Sequence, residues 1–301
     1  MLRVPDAFAR DTIAREGDAG RAWIEALPAT FAALCDEWKL TVDGPPLHGY
    51  VGLVLPVRRG SGGPDAEACV LKLTWQDADT AGEARALAAW NGRGAVQLLA
   101  ADADRGALLL ERLDPTRTLD HIPIGDAVVL AGELLHQLTV PAPDGIHDLP
   151  TLAGRKAAAL PGLWEATGRR VPRRAVDYAV GIMRELGMTD LRLLTNYDLH
   201  YQNVLAGTRA PWLVIDPKVT AGDPAFSPAQ LLWCRLEDME AAGGLLRHLD
   251  ALIEAAHLDP QRTRAWSVAR CVDYWLWALS VGLTEDPRRC ERIVATLLPD
   301  V

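Results

Sequence analysis

The chain is short of cysteine, and none of its cysteines stand close together. Cys35, Cys69, Cys234, Cys271 and Cys290 make five, with no CxxC pair among them. An odd, scattered set argues against a disulfide framework and against a zinc site. Excess positive charge is missing too: 31 Lys and Arg face 40 Asp and Glu, a net −9. Nucleic acid needs a basic surface, so it is not an expected partner. The negative sign suits a cationic small molecule. No uninterrupted apolar run approaches membrane-spanning length, so no membrane partner is expected. The opening MLRVPDAFARDTIAREGDAG carries charges throughout and has no apolar h-region. A cytoplasmic, reducing location is therefore expected. Internal repeats, low-complexity segments and charge blocks are also absent. Monomer and dimer both stay open.

What is present is enough apolar residue for a sizeable core, 49% of 301. Trp23, Leu27, Phe31, Leu34 and Trp38 recur at helical spacing, which predicts a helix over 20–39 that Pro28 interrupts. Short strands separated by Gly/Pro turns follow, with a loop at Ser61-Gly62-Gly63-Pro64-Asp65. Cys69–Trp75 is a β-prone run with Lys72 inside it. Thr80–Trp90 reads as a helix, Thr80 and Glu83 standing in capping-box spacing. Val96–Ala100 and Ala107–Leu113 read as two further strands. Beyond Asp114 the patterning is helical over 124–138, 156–167, 171–186, 227–246, 262–283 and 286–298. Only Leu191–Thr195, Val204–Ala206 and Trp212–Ile215 look like strands there. The expected architecture is α+β and bilobal. A small β-rich lobe with a leading helix spans 1–113, and a larger, mainly helical lobe spans 114–301. A cleft between unequal lobes would suit a nucleotide.

The chemistry concentrates in LLTNYDLHYQNVLAGTRAPWLVIDPK. Phosphoryl transfer needs a carboxylate at the acceptor hydroxyl, oxygen ligands for Mg²⁺ and a lysine on the phosphates. Protein kinases supply the first two as D-x-x-x-x-N followed by a later Asp. Asp198 and Asn203 have that spacing, and Asp216 lies thirteen residues beyond Asn203. Strands on either side can present Asn203 and Asp216 to one metal, with hard oxygens of the kind Mg²⁺ prefers. The bland alternative makes all three turn residues. Lys72, inside an apolar strand, needs a reason to be there, since an unpaired buried charge is costly. It is either a phosphate ligand or an edge-strand lysine facing water. Glu83 is either its partner or simply the N3 residue of the Thr80 capping box.

With these residues in view, the sequence resembles the aminoglycoside phosphotransferases, in the branch of streptomycin 6-kinases and hydroxyurea phosphotransferases. DLHYQNVL, WLVIDPK, GDPAF and LLW carry the likeness, and VLKL, EARALAAWNGRGAVQLL and ALLLERL extend it upstream. The resemblance implies a protein-kinase-like fold, ATP and Mg²⁺ as cofactors, and a hydroxylated antibiotic as acceptor. It makes Asp198 the catalytic carboxylate, and Asn203 and Asp216 the metal ligands. Lys72 becomes the phosphate lysine and Glu83 its partner. The segment from Glu111 to Leu113 would bond the adenine through its backbone. Gly49 and Gly52 are the glycines of the candidate phosphate-covering hairpin, which can also be read as an ordinary hairpin.

Two departures stand out. The family usually has His-Gly-Asp where this chain has Asn196-Tyr197-Asp198. The family's histidine braces the loop, and Asn196 keeps both donor and acceptor capacity for that task. Tyr197 adds bulk beside the acceptor site. Ser227 replaces a second aspartate of GDPxxD and is expected to cap a helix beginning at Pro228. His200 is read as a hydrogen-bonded structural residue, and Lys218 as either a phosphate contact or a solvent-facing lysine. For a cationic, hydroxylated acceptor the candidates are Asp273, Glu237 and Trp233, since carboxylates and aromatic faces attract cations. Tryptophan at helical spacing is equally a core signal. The expected function is phosphorylation of a streptomycin-like antibiotic, which inactivates it. Two rivals are a kinase of hydroxyurea or a metabolite, and a catalytically silent ligand-binding relative.

Overall fold

The structure is a computed structural model, and it describes residues 2–60 and 66–298. The loop expected at Ser61–Asp65 lies outside the described residues. The chain divides into two compact units, Met1–Gly92 with Val96–Asp114, and Arg93–Ala95 with Pro115–Val301. Among the described residues no helix is long and apolar enough to cross a membrane.

The first unit opens with helix α1 (Asp6–Trp38). It is longer than its apolar stripe predicts, and its kink falls at Gly17 (φ 63°, ψ −137°), not at Pro28. Glycine tolerates that left-handed backbone; other residues resist it. There follow β1 (Leu40–Val42), β2 (Leu47–His48), β3 (Gly52–Arg59), β4 (Glu67–Thr74), α2 (Glu83–Trp90), β5 (Leu98–Asp102) and β6 (Ala107–Glu111). The strands form one sheet in the order β1-β3-β4-β6-β5, with β2 also on β3, and every pair is antiparallel.

Period-two alternation sorts the two faces of this sheet. Leu53, Leu55 and Val57, with Cys69, Leu71 and Leu73 and with Ala107 and Leu109, form a buried cluster with Leu27, Phe31 and Leu34 of α1. At about 25 cal/mol per Å² of apolar surface, such burial is the main stabilising term of the unit. Lys72, between Leu71 and Leu73, therefore points to the opposite face. The Thr80 capping box does not form. The Thr80 hydroxyl instead closes a turn onto Trp75 O (2.9 Å) and Asp77 N (2.9 Å), and α2 starts only at Glu83.

The second unit contains β7 (Asp114–Thr118), whose first residue belongs to the other unit, then α3 (Ile124–Leu138), α4 (Leu149–Ala166) and α5 (Arg173–Glu185). Next come β8 (Leu193–Asn196), β9 (Val204–Ala206), β10 (Trp212–Val214) and β11 (Val219–Gly222). The remainder is helical: α6 (Ala229–Cys234), α7 (Leu236–Ala241), α8 (Leu245–Ala256), α9 (Pro260–Ser280) and α10 (Glu285–Leu297). Two small antiparallel ladders sit among the helices, β8 with β11 and β9 with β10, and β7 joins the free side of β9. Helix α3 packs on α8, and α9 packs against α5, α4 and α10.

Sequence patterning missed β7 and β11. Each is short, and Val219–Gly222 is a strand only because β8 supplies its hydrogen bonds. The single helix expected over 227–246 is instead α6, α7 and the start of α8. Arg235 (φ −136°, ψ 38°) breaks the first junction, and Gly243 and Gly244 (φ 111° and 98°) break the second. The expected Ser227 cap is also absent. Pro228 precedes α6 without a side-chain cap, and Asp223 instead accepts Ala225 N–H (3.0 Å) in a preceding 3₁₀ turn.

Candidate active site

In the first unit, Lys72 rises from β4 and meets Glu83 at the first residue of α2. Its Nζ donates to both carboxylate oxygens, at 2.6 and 2.7 Å. Both residues are buried, 6% and 4% exposed, so this is an ion pair inside the unit and not a surface contact. A buried pair of this kind has a net cost or gain set by geometry, but losing one member is expensive. Glu83 is thereby read as the partner of Lys72, and the edge-strand reading of Lys72 fails.

Gly49 and Gly52 close the tight turn between β2 and β3, with Gly49 N–H on Gly52 O (3.0 Å). A Cβ on Gly52 would stand 3.4 Å from Lys72 Cε, which places this turn over the lysine. Arg15 of α1 holds the tip: Nη1–H reaches Tyr50 O (3.0 Å) and the guanidinium lies 4.5 Å from the Tyr50 ring centre. Glu111 ends β6 and is latched to Gln97. Its N–H goes to Gln97 O (3.0 Å), and its Oε1 accepts Gln97 N–H (2.7 Å). Leu113 lies two residues further on, half-buried.

In the second unit, β8 delivers the loop. Asn196, the last residue of β8, is paired with Val219 of β11. One step on, Tyr197 N–H donates to Lys218 O (2.9 Å). Asn196 Oδ1 then accepts the N–H of Asp198 (3.1 Å), so the amide does brace the loop. The Tyr197 ring is buried, edge-on to His147 and Phe226 (6.4 and 5.9 Å between ring centres).

The five-residue interval after Asp198 is taken up by a 3₁₀ turn, Tyr201–Asn203, in which Asn203 N–H bonds His200 O (2.9 Å). It carries Asn203 to the foot of β9. The β9–β10 ladder pairs Val204 with Val214, and Ile215 N–H closes onto Asn203 O at 2.9 Å. Asp216 follows directly, with φ +51°. Aspartate tolerates this left-handed backbone better than most residues. Asn203 and Asp216 thus share one end of a hairpin.

His200 lies within the electric field of these carboxylates. Burial holds its imidazole pKa below the ordinary value, against the opposing pull of Asp198, Asp216 and Asp120. Lys218 places Nζ 3.2 Å from Asp198 Oδ2, and is not a purely solvent-facing lysine.

Among the described residues no group of three or more His, Cys, Asp and Glu side chains has the arrangement of a metal site. The candidate ligands are one amide and one carboxylate, both hard oxygen donors at one hairpin end. That set fits Mg²⁺, which takes few protein ligands and completes its shell with phosphate and water.

The acceptor candidates scatter. Asp273 of α9 engages Lys156 of α4 through Oδ2 at 2.5 Å. Its carboxylate in an apolar helix is therefore explained by an ion pair. Glu237 already shares its carboxylate with Arg289 (3.1 Å) and Arg292 (2.5 Å). Trp233 is buried and stacks on Tyr274 (4.5 Å, 12°), which stacks in turn on Trp277 (5.4 Å, 23°). Trp277 ends this ladder in solvent at 44% exposure.

Sequence reasoning overlooked Lys156 and Arg270. The signal for Arg270 was available: a lone cation in VARCVDYWLWAL needs partners as much as Asp273 does.

The chain matches the family described as aminoglycoside/hydroxyurea antibiotic resistance kinase over residues 37–282. It is 38% identical to a streptomycin 6-kinase of Streptomyces glaucescens over 289 residues, covering 94% of this chain and 92% of that one. It is also 38% identical to a hydroxyurea phosphotransferase of Kitasatospora aureofaciens over 305 residues, covering 99% and 86%. Among solved structures, a choline/ethanolamine kinase family protein from Mesorhizobium loti aligns with a TM-score of 0.58 at 16% identity, covering 91% of this chain and 93% of that one. A macrolide 2'-phosphotransferase from Brachybacterium faecium aligns at 0.53 and 18% identity, covering 90% and 98%. At such identities the structural likeness speaks to the fold.

Proposed function

Because the chain belongs to the aminoglycoside/hydroxyurea antibiotic resistance kinase family, we propose that it transfers the γ-phosphoryl group of ATP to a hydroxyl of a streptomycin-like aminoglycoside. The observation that carries this reading is the placement of Asp198 after β8, with Asn203 and Asp216 at one end of the β9–β10 hairpin.

In this reading Asp198 accepts a hydrogen bond from the acceptor hydroxyl and orients its oxygen toward the γ-phosphorus. As the new P–O bond forms, the bond to the β–γ bridging oxygen breaks and ADP departs. The hydroxyl proton ends on the Asp198 carboxylate. Lys72, held in place by Glu83, donates to the α- and β-phosphate oxygens. Asn203 and Asp216 would hold Mg²⁺, which when bound supplies positive charge to the phosphates. Positioning and charge neutralisation then account for most of the rate. For the acceptor, the proposal keeps Asp273 and Trp233. Asp273 meets Lys156 through one oxygen, and Trp233 begins an aromatic ladder that can face a cation. Glu237 is set aside because Arg289 and Arg292 already occupy both of its carboxylate oxygens.

A second acceptor has equal standing by one specific measure, since the hydroxyurea phosphotransferase is as similar as the streptomycin kinase, 38% in each case. ATP consumption with streptomycin, hydroxyurea and a panel of amino alcohols separates the two. Asp198→Ala should lower turnover by about 10²–10⁴-fold while nucleotide binding persists. Near-full activity in that variant would remove Asp198 from the chemistry.

A further inference from the structure

We propose that Arg270 of α9 is the positioning residue of the Asp198 loop; this rests on the phosphotransferase reading above. The guanidinium directs its donors at backbone carbonyls. Nη2–H reaches Tyr197 O at 2.7 Å, and Nη1–H reaches Phe226 O at 3.0 Å and Ser227 O at 3.3 Å. Its central carbon also lies 5.9, 4.7 and 5.8 Å from the ring centres of Tyr197, Phe226 and Trp233. A cation set among aromatic faces and carbonyl oxygens is held in one orientation, because the planar fork fits few others.

The Tyr197 carbonyl belongs to the peptide that leads into Asp198. Three bonds fix that stretch of backbone. Tyr197 N–H goes to Lys218 O, Asp198 N–H goes to Asn196 Oδ1, and Tyr197 O accepts from Arg270. The first two come from the β8–β11 ladder, from Asn196 at the end of β8 and from Lys218 just before β11. Arg270 ties the same backbone to α9, 73 residues along the chain. It also lies in the field of both Asp198 and Asp273, whose charges oppose the drop that burial imposes on its pKa. Asp273 and Tyr274 follow at i+3 and i+4, on the same face of α9. Tyr274 stacks on Trp233, one of the rings over which Arg270 lies. The guanidinium therefore ties α9, which carries the acceptor candidate Asp273, to the backbone leading into Asp198.

The Tyr197 side chain takes on a role in this arrangement. Its ring gives Arg270 one of three aromatic faces, and its carbonyl gives the shortest of three hydrogen bonds. Misplacing a reacting group by about 1 Å can cost on the order of 10²-fold in rate. The expected loss therefore falls on turnover, and nucleotide capture is left nearly intact.

The test compares the wild-type chain with Arg270→Met, Arg270→Lys and Arg270→Ala, using ATP with streptomycin and with hydroxyurea. Arg270→Met should lower kcat by roughly 10–100-fold with KM for ATP changed by less than about twofold. Arg270→Lys should recover part of the loss, since an ammonium can reach one carbonyl but not all three. Millimolar guanidinium should raise the turnover of Arg270→Ala. Hydrogen exchange supplies a readout that needs no acceptor: the Asp198 amide should exchange faster in Arg270→Met while the α9 amides stay protected. A kcat within about twofold of wild type, or exchange rising equally along α9, would overturn the proposal. If the wild-type chain phosphorylates neither acceptor, the function reading fails on its own, and the exchange comparison still decides the role of Arg270.

Discussion

Lys72 and Glu83 show how little a single residue says until its partner is known. In the sequence, Glu83 had two explanations, a capping box and an ion pair. The structure chooses the second, because Thr80 turns its hydroxyl back onto Trp75 while Glu83 receives Lys72 at 2.6 and 2.7 Å. Removing one member of a buried pair leaves the other charge poorly compensated, at a cost of about 3–5 kcal/mol. Glu83→Ala should therefore lower unfolding free energy by roughly that amount in urea denaturation and weaken nucleotide binding. A loss near that of a surface pair, under about 1 kcal/mol, would show that the burial carries no energetic weight. Asn196 makes the same point with milder chemistry. Its amide oxygen braces Asp198, as its donor and acceptor capacity allowed, but Tyr197 is packed against His147 and Phe226 and held by Arg270. Read from sequence, Tyr197 was simply bulk beside an acceptor. The fold gives its ring and its carbonyl separate partners.

At the level of elements, apolar periodicity located the later part of α1, most of the long helices beyond it and the strand that holds Lys72. The boundaries it missed have local causes. The kink of α1 lies at Gly17, where the backbone turns left-handed, and the breaks after α6 and α7 lie at Arg235 and at Gly243-Gly244. Helix α3 gives the sharpest test of packing between elements, because it carries two glycines in opposite surroundings. A Cβ at Gly132 would come within 2.7 Å of Ala255 Cβ and 2.9 Å of Leu252 O on α8, whereas nothing lies within 4 Å at Gly125. Gly132→Ala must push α3 off α8 and should cost about 1–3 kcal/mol. Gly125→Ala only restricts the unfolded chain and should stabilise by about 0.4–1 kcal/mol. Thermal unfolding of the two variants should thus move in opposite directions. A parallel shift would mean that the α3–α8 contact is looser than the glycine implies.

Across the whole molecule, the thiols test the expectation of a reduced protein without bridges. All five cysteines are free. Burial raises the thiol pKa of Cys35 and Cys69, and pushes Cys234 up to about 12 with help from Asp286, Asp198 and Asp120. Cys290 is raised well above its usual value, first by its hydrogen bond with Cys271 and then by burial. Thiolate is the reactive form, so these groups should react slowly at pH 8. A thiol reagent should therefore label the folded chain slowly and reach five equivalents only in denaturant. Rapid labelling of most thiols in the folded chain would contradict the burial. Reductant should likewise leave the melting temperature unchanged.

The sequence by itself carried the family likeness and the candidate residues for phosphoryl transfer. Residue types are intrinsic, and the spacing of Asp198, Asn203 and Asp216 needs only a short strand, one 3₁₀ turn and a tight hairpin to be realised. Local geometry of that kind is written in consecutive residues. It also determined the order of a β-rich region followed by a helical one, since period-two and period-3.6 patterning are local properties. Tertiary structure decided everything that depends on residues far apart in the chain. Pairing with β8 makes Val219–Gly222 a strand and places the Lys218 carbonyl on Tyr197. Lys156 neutralises Asp273 from 117 residues away, and Arg270 reaches Tyr197 O across 73. Such partners are set by how helices pack, and no window of adjacent residues contains that information.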